Sequence, residues 1–143
     1  MATNFKGYLI KSAEVDDLIF PEKYISLESY ESTPDQREEV EAYRDDYTRD
    51  LTRVTADGMK SKVEFSLLDG LTLEQKMEVQ DFFNKSMVDE KERKVHIEYW
   101  DDEKNEYKPA YFYYPDIKYQ IIRIDKEKNT LIYKAIKYTL IEY

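Results

Sequence analysis

MKSKVEFSLLDGLTLEQKMEVQDFFNKSMV, residues 59–88, carries the strongest local code in the chain. Val63, Phe65 and Leu67 alternate with Lys62, Glu64 and Ser66, the period of a half-buried strand. Asp69-Gly70 then punctuates the chain, because glycine takes the positive φ that a tight turn often needs. Thr72-Leu73-Glu74-Gln75 matches a capping box, in which the Thr72 hydroxyl and the Gln75 side chain satisfy backbone N–H groups left open at a helix start. Leu73, Met77, Val79, Phe83 and Met87 cluster on one side of a helical wheel, and Phe82 falls off that stripe. The spacing predicts a helix over 72–87, the one strong helix of the chain. Its apolar face should cover a sheet made by everything else.

Upstream of this stretch, Asp57-Gly58 is a hairpin signal and residues 47–56 (YTRDLTRVTA) read as extended. Over residues 31–46 the apolar signal fades. Thr33-Pro34-Asp35 starts a turn there, and residues 35–44 can form a brief helical turn. Together these pieces make a long arm or loop over about 31–58, a length that is uncommon in a compact domain unless the segment has a function or stays disordered. Further back, residues 24–30 (YISLESY) alternate into a strand after Pro21, residues 11–20 are acidic and irregular, and residues 5–10 (FKGYLI) form a short first strand.

Downstream, residues 91–100 form a clear strand, with Val95, Ile97 and Tyr99 on one face and Lys94, His96, Glu98 and Trp100 on the other. Residues 101–106 are a charged turn. Residues 107–114 (YKPAYFYY) return as a strand in which Pro109 marks an edge or a bulge. A strand over 117–124, a turn over 125–129 (DKEKN) and a last long strand over 130–143 complete the chain. This order reads as α+β with the sheet dominant: an antiparallel sheet or sandwich, or a curled barrel, with one helix packed on it. Residues 1–143 are expected to form a single domain, with the arm at 31–58.

The totals narrow the function classes. A net charge of −9 argues against nonspecific binding to nucleic acid or anionic lipid, since phosphates would be repelled. With no cysteine there is no disulfide framework and no thiolate metal site. Residues 1–5 lack a charged region followed by an apolar run, so no secretory signal is expected. No apolar run approaches the roughly 20 residues of a membrane helix. Fourteen tyrosines and six phenylalanines beside three glycines fit aromatic strands and protein–protein contacts.

Chemistry-bearing groups are few. His96 is the one histidine, and its strand position opposite the apolar face reads as a surface or interface ring. Glu98, Asp101, Asp102, Glu103 and Glu106 cluster at a hairpin tip, where water should keep them all ionised, whereas catalytic tuning needs desolvation. Asp125, Glu127 and Asn129 mimic the first ligands of a calcium loop, but Thr130 stands where the turn glycine belongs and Ile136 where the bidentate glutamate belongs. Tyr107, Tyr111, Phe112, Tyr113, Tyr114 and Tyr119 form an aromatic run read as core and subunit contact. Stacking on nucleic acid would call for basic neighbours, and Lys108 and Lys118 alone are close. Arg37, Arg44, Arg49 and Arg53 interleave with Tyr43 and Tyr47 but are outnumbered by Asp and Glu, a mixed-sign pattern suited to salt bridges with another protein or to a solvated loop. Glycines at 7, 58 and 70 alone allow no phosphate loop. No catalytic residue, cofactor or metal site is expected.

The order of these features resembles that of small proteins of unknown activity encoded in the tail gene modules of siphophages and prophages of Gram-positive bacteria. The resemblance runs over most of the chain. It starts with Gly7-Tyr8-Leu9-Ile10 and the proline before the 21–30 strand. It continues through the arm from Arg49-Asp50-Leu51-Thr52-Arg53-Val54 to Lys60-Ser61-Lys62 and the helix start Leu71-Thr72-Leu73-Glu74-Gln75. Val95-His96-Ile97-Glu98-Tyr99, the aromatic return Phe112-Tyr113 and the closing Leu140-Ile141-Glu142-Tyr143 complete it. The acidic insert at 31–46 and the tyrosine-rich C-terminal half depart from the pattern.

The resemblance implies a tail-tube-like fold and a non-enzymatic structural role in a phage or prophage tail or baseplate. Subunits of that kind commonly assemble as rings. The implied partners are further copies of the chain and other tail or baseplate proteins, with no sequence-specific nucleic-acid binding and no membrane. The implied location is the virion tail, with the host cytoplasm during assembly. The arm is the expected partner contact, anchored by Arg44, Tyr47, Arg49 and Arg53. Two other readings stay open: a soluble acidic adaptor or inhibitor of a basic protein, and an enzyme using Glu98, Asp101 and Asp102.

Overall fold

The computed structural model describes residues 3–36, 39–44, 51–55 and 60–143, with residues 35–36, 39–44 and 51–55 described through their backbone alone. Strand β1 is Ile10–Ser12, displaced from the expected 5–10 because Gly7 turns the chain at φ +93° before pairing can begin. The buried Ser12 hydroxyl accepts the N–H groups of Glu14 and Val15 at 3.2 Å each and ends the strand. A short 3-10 turn, Glu22–Tyr24, follows Pro21 and leads into β2, Ile25–Gln36.

β2, at 12 residues, runs past the strand expected from the alternation of residues 24–30. It absorbs the predicted loop start at 31 by a register shift between Ser26 and Glu31 against its partner β5, Lys60–Leu67. Inside that shift the Ser29 hydroxyl donates to Ser26 O at 2.6 Å and accepts the Ser66 N–H at 2.8 Å. The bulged strand thus keeps its backbone satisfied where the ladder is interrupted. The expected helical turn over 35–44 is absent from the described part of that stretch. Glu39–Arg44 is instead strand β3, paired antiparallel with β4, Leu51–Thr55. A hairpin supplies each strand with backbone partners that the polar sequence cannot obtain by burial. The Asp57-Gly58 turn lies outside the described residues.

β5 alternates as expected: Ser61, Val63, Phe65 and Leu67 are buried and Lys62, Glu64 and Ser66 half-buried. Gly70, at φ +90°, makes the turn. After a two-residue strand, β6 (Leu71–Thr72), helix α1 runs Leu73–Ser86. Its capping box is complete: Gln75 N–H donates to the Thr72 hydroxyl at 3.3 Å and Thr72 N–H to Gln75 Oε1 at 2.9 Å. The buried stripe is Val79, Phe82, Phe83 and Ser86, spaced three, one and three. The stripe drawn from the sequence is therefore corrected. Phe82 is 1% exposed and central, while Met77 is 55% exposed. A wheel built from hydrophobicity alone includes the adaptable Met77. Phe20 decides otherwise, standing 5.1 Å from the Phe82 ring and 5.6 Å from Phe83.

Strand β7, Met87–Asp89, leads to β8, Lys94–Asp101, and β9, Glu106–Tyr113. Pro109 faces Glu98 across this hairpin, in the stretch of β9 that β12 does not reach, as a ladder proline requires. The expected 117–124 strand shrinks to β10, Ile121–Asp125. The expected 130–143 strand splits into β11, Thr130–Tyr133, and β12, Lys137–Glu142. At the break Ala135 N–H donates to Asp69 Oδ1 at 2.9 Å, and the Ile136 carbonyl accepts Leu67 N–H at 2.8 Å. The chain leaves one sheet here and enters another.

The main sheet has seven strands in the order β1-β8-β9-β12-β5-β2, with β7 also on β8. A second sheet is β10-β11-β6, and β3-β4 is a two-stranded ladder. Every pairing is antiparallel, and the sheets do not close into a barrel. The fold is thus α+β and β-dominated, with one helix among the described residues. Register places buried residue against buried residue, as in Val95 with Phe112, Ile97 with Ala110, Tyr138 with Phe65 and Leu140 with Val63. That face receives α1, with Phe83 stacked 4.9 Å from Tyr138 and Phe20 edge-on to Phe65 at 5.3 Å.

The second sheet is tied to the helix start by Thr130, whose hydroxyl donates to Glu74 Oε2 at 2.8 Å. Hydrogen bonds from its own backbone N–H first, and from Thr130 next, hold the Glu74 carboxyl below the ordinary value of 4.5. A depressed folded value contributes stability that is present above the unfolded value and is lost as pH falls through the folded one. Thr130→Val is therefore expected to raise the Glu74 midpoint, read by carboxyl-carbon NMR. The stability gap to wild type should be widest near neutral pH and close in acid. An unmoved midpoint would assign the depression to the helix start alone.

Candidate interaction surface

Of the four expected arm anchors, Arg44 ends β3 and Arg53 lies in β4, while Tyr47 and Arg49 lie outside the described residues. The register pairs Arg44 with Leu51 and Ala42 with Arg53, so the two arginines occupy diagonal positions of one hairpin. Acidic residues are spread along the same segment.

The carboxylate cluster divides in two. Asp101 is fully buried, against the expectation of a solvated turn. β8 runs one residue further than its apolar alternation suggests, and the two-residue period carries Asp101 to the face of Val95, Ile97 and Tyr99. Its Oδ1 accepts the N–H groups of Glu103 at 2.9 Å and Lys104 at 3.1 Å, which shapes the turn. Glu98 is half-buried, and Asp102, Glu103 and Glu106 are exposed. The Ser32 hydroxyl donates to Asp102.

The outward face of β8 and β9 is aromatic. Tyr107 stacks 4.6 Å from Tyr8 and meets Trp100 edge-on at 5.1 Å, and its hydroxyl donates to Tyr8 O at 2.7 Å. His96 stacks on Tyr111 at 4.2 Å, with Nδ1 3.0 Å from Glu14 Oε1. Lys94 Nζ lies 4.2 Å from the Tyr143 ring centroid. The Tyr143 hydroxyl donates to Glu92, which pushes the phenol up to about 12. The aromatic run is thus divided, with Phe112 in the core and Tyr111 outward.

A cleft of about 290 Å³ lies between α1 and residues 114–119, lined by Gln80, Phe83, Asn84, Arg93, Tyr114, Ile117, Tyr119 and Tyr138. Burial, first of all, raises the Tyr138 hydroxyl far above the ordinary phenol range, so it stays neutral. Arg93 is paired with Asp116 at 2.7 Å. No member of the 98–106 carboxylate cluster lines this cleft. The calcium-like segment is the β10–β11 hairpin turn, with Asp125 Oδ1 accepting Lys128 N–H at 3.1 Å and Asn129 in the left-handed region at φ +52°.

The most exposed apolar element is β10. Ile121, Ile122 and Ile124 are 51%, 45% and 64% exposed, and Arg123 is exposed beside them. β11 covers one side of this strand, and no described strand pairs with the other. Sequence reading placed a strand here but missed its openness. The signal was a run of isoleucines without the alternation that marks a buried face.

A model of DUF6711, a family of unknown function, matches residues 1–143. The chain belongs to the DUF6711 family. No curated protein matches it. In this DUF6711 chain β10 keeps a second edge on which no described strand lies. An unpaired row of backbone groups beside three exposed isoleucines is a template for another strand. None of the described helices is long and apolar enough to cross a membrane.

Proposed function

We propose that this DUF6711 chain is a non-enzymatic structural component of a phage or prophage tail or baseplate, which assembles with copies of itself, in a ring, and with neighbouring tail proteins. The observation that carries the reading is the open β10 edge with its exposed isoleucines. The strand carries a register shift between Ile121 and Arg123 and one exposed arginine, and no described strand covers its second edge; assembling subunits join through such edges. The order of sequence features shared with tail-module proteins supplies the setting, the virion tail after assembly in the host cytoplasm. The net charge of −9 suits a subunit that DNA passes without sticking.

The arm is the second proposed contact, with Arg44, Tyr47, Arg49 and Arg53 as its anchors. Deleting residues 31–46 would be a poor test of it, because Glu31, Ser32, Thr33 and Gln36 pair with β5. Gln36 and Lys60 are register partners, so residues 37–59 can be replaced by an Asn-Gly turn that closes the β2–β5 hairpin. This variant is expected to keep the wild-type thermal transition while losing capture of the co-expressed proteins of its own tail gene module. Undiminished capture by the shortened chain would remove the arm from the interface. Capture of no tail protein by the wild type, with salt-labile binding to a basic protein instead, would favour the acidic adaptor.

A further inference from the structure

We infer that β10 pairs antiparallel with β10 of a second copy, across a two-fold axis at Ile124, and that two Arg123–Asp125 ion pairs select this register. The inference rests on the subunit-contact reading above and names one of its contacts. Residues opposite each other in an antiparallel pair share a face, and alternate residues along a strand change face. A two-fold pairing of identical strands must therefore set one residue against its own copy. Centring on Arg123 sets guanidinium against guanidinium, and centring on Asp125 sets carboxylate against carboxylate. Centring on Ile121 or Ile122 leaves Arg123 without an acid opposite.

Centring on Ile124 places Arg123 of each copy opposite Asp125 of the other. Two opposite-charge pairs then flank an isoleucine contact on the reverse face. Arg123 makes no ion pair among the described residues, so it is available. Asp125 uses Oδ1 in its own turn and keeps Oδ2 for the partner. The joined sheet would run β6-β11-β10-β10-β11-β6 and cover the most exposed isoleucine of the chain. Such an isologous contact closes on itself, so it makes a dimer and leaves the arm to build larger assemblies.

Sedimentation equilibrium of the full chain tests this. Wild type is expected to dimerise with rising concentration. R123D and D125R each turn two attractive pairs into two repulsive ones and should weaken self-association about tenfold or more. An equimolar mixture of the two should dimerise again, because every Asp then faces an Arg, and the double variant R123D/D125R should behave as wild type. I124E sets two carboxylates together at the axis, on a side chain that is 64% exposed, and should give a folded monomer by circular dichroism. A wild type that stays monomeric, or single variants that dimerise as wild type does, would overturn the pairing. So would a mixture that fails to recover. Capture of tail proteins by a monomeric wild type would overturn the β10 dimer and leave the tail assignment standing, so the two readings fail separately.

Discussion

Phe82→Ala lowers the unfolding free energy by about 3–5 kcal/mol, the cost of removing a fully packed aromatic ring from a core. In a chain of this size that corresponds to a melting temperature lower by roughly 10–20 °C. Phe82 is 1% exposed and meets Phe20 edge-on at 5.1 Å and Phe83 at 5.4 Å. Truncation opens a cavity whose walls are held by the sheet on one side and by the helix backbone on the other, so they relax only in part. Met77→Ala is the control, and at 55% exposure it should cost under about 1 kcal/mol. The pair of melts decides which stripe of α1 faces the sheet. A larger loss at Met77 than at Phe82 would restore the stripe drawn from hydrophobicity and refute the packing described here.

Asp101→Ala is the second large effect, about 2–3 kcal/mol by urea denaturation. The buried carboxyl accepts two backbone N–H groups at the β8–β9 turn, and buried donors left without their acceptor cost their desolvation. Asp101→Asn keeps an acceptor oxygen in the same place and should lose about half as much. Equal losses in the two variants would show that charge, and not the acceptor, matters. The contrast bears on function as well. Asp101 was one of three carboxylates considered for acid–base work, and in this structure its Oδ1 shapes a turn. An Asp101→Ala chain that folds weakly yet still captures the proposed tail partners would separate the stabilising role from the proposed interface.

Several elements could be read from local rules alone. Thr72 and Gln75 specify the helix start because a capping box involves four consecutive residues and no distant partner. Val63, Phe65 and Leu67, and Val95, Ile97 and Tyr99, declare strands with one buried face because period-2 alternation is itself the consequence of a sheet between core and water. The β-dominated class follows from these. The brief helical turn expected over 35–44 failed as a prediction because Glu39–Arg44 and Leu51–Thr55 are too polar to alternate. They form strands by pairing with each other, and pairing partners are not a local property.

By itself the sequence determined the helix and its cap, the strands that line the core, the turns at Gly70 and at 125–129, and a net charge of −9. Each depends on neighbours a few residues away or on a sum over the chain. The tertiary structure alone decided which helical face is inner, because Phe20 comes from a distant segment to select Phe82. It alone split residues 130–143 between two sheets, because β12 is drawn between β9 and β5 while β11 stays with β10. And it alone left one edge of β10 without a described strand and its isoleucines without a covering layer. An edge is a property of the partner that is missing, and no local pattern of residues encodes that.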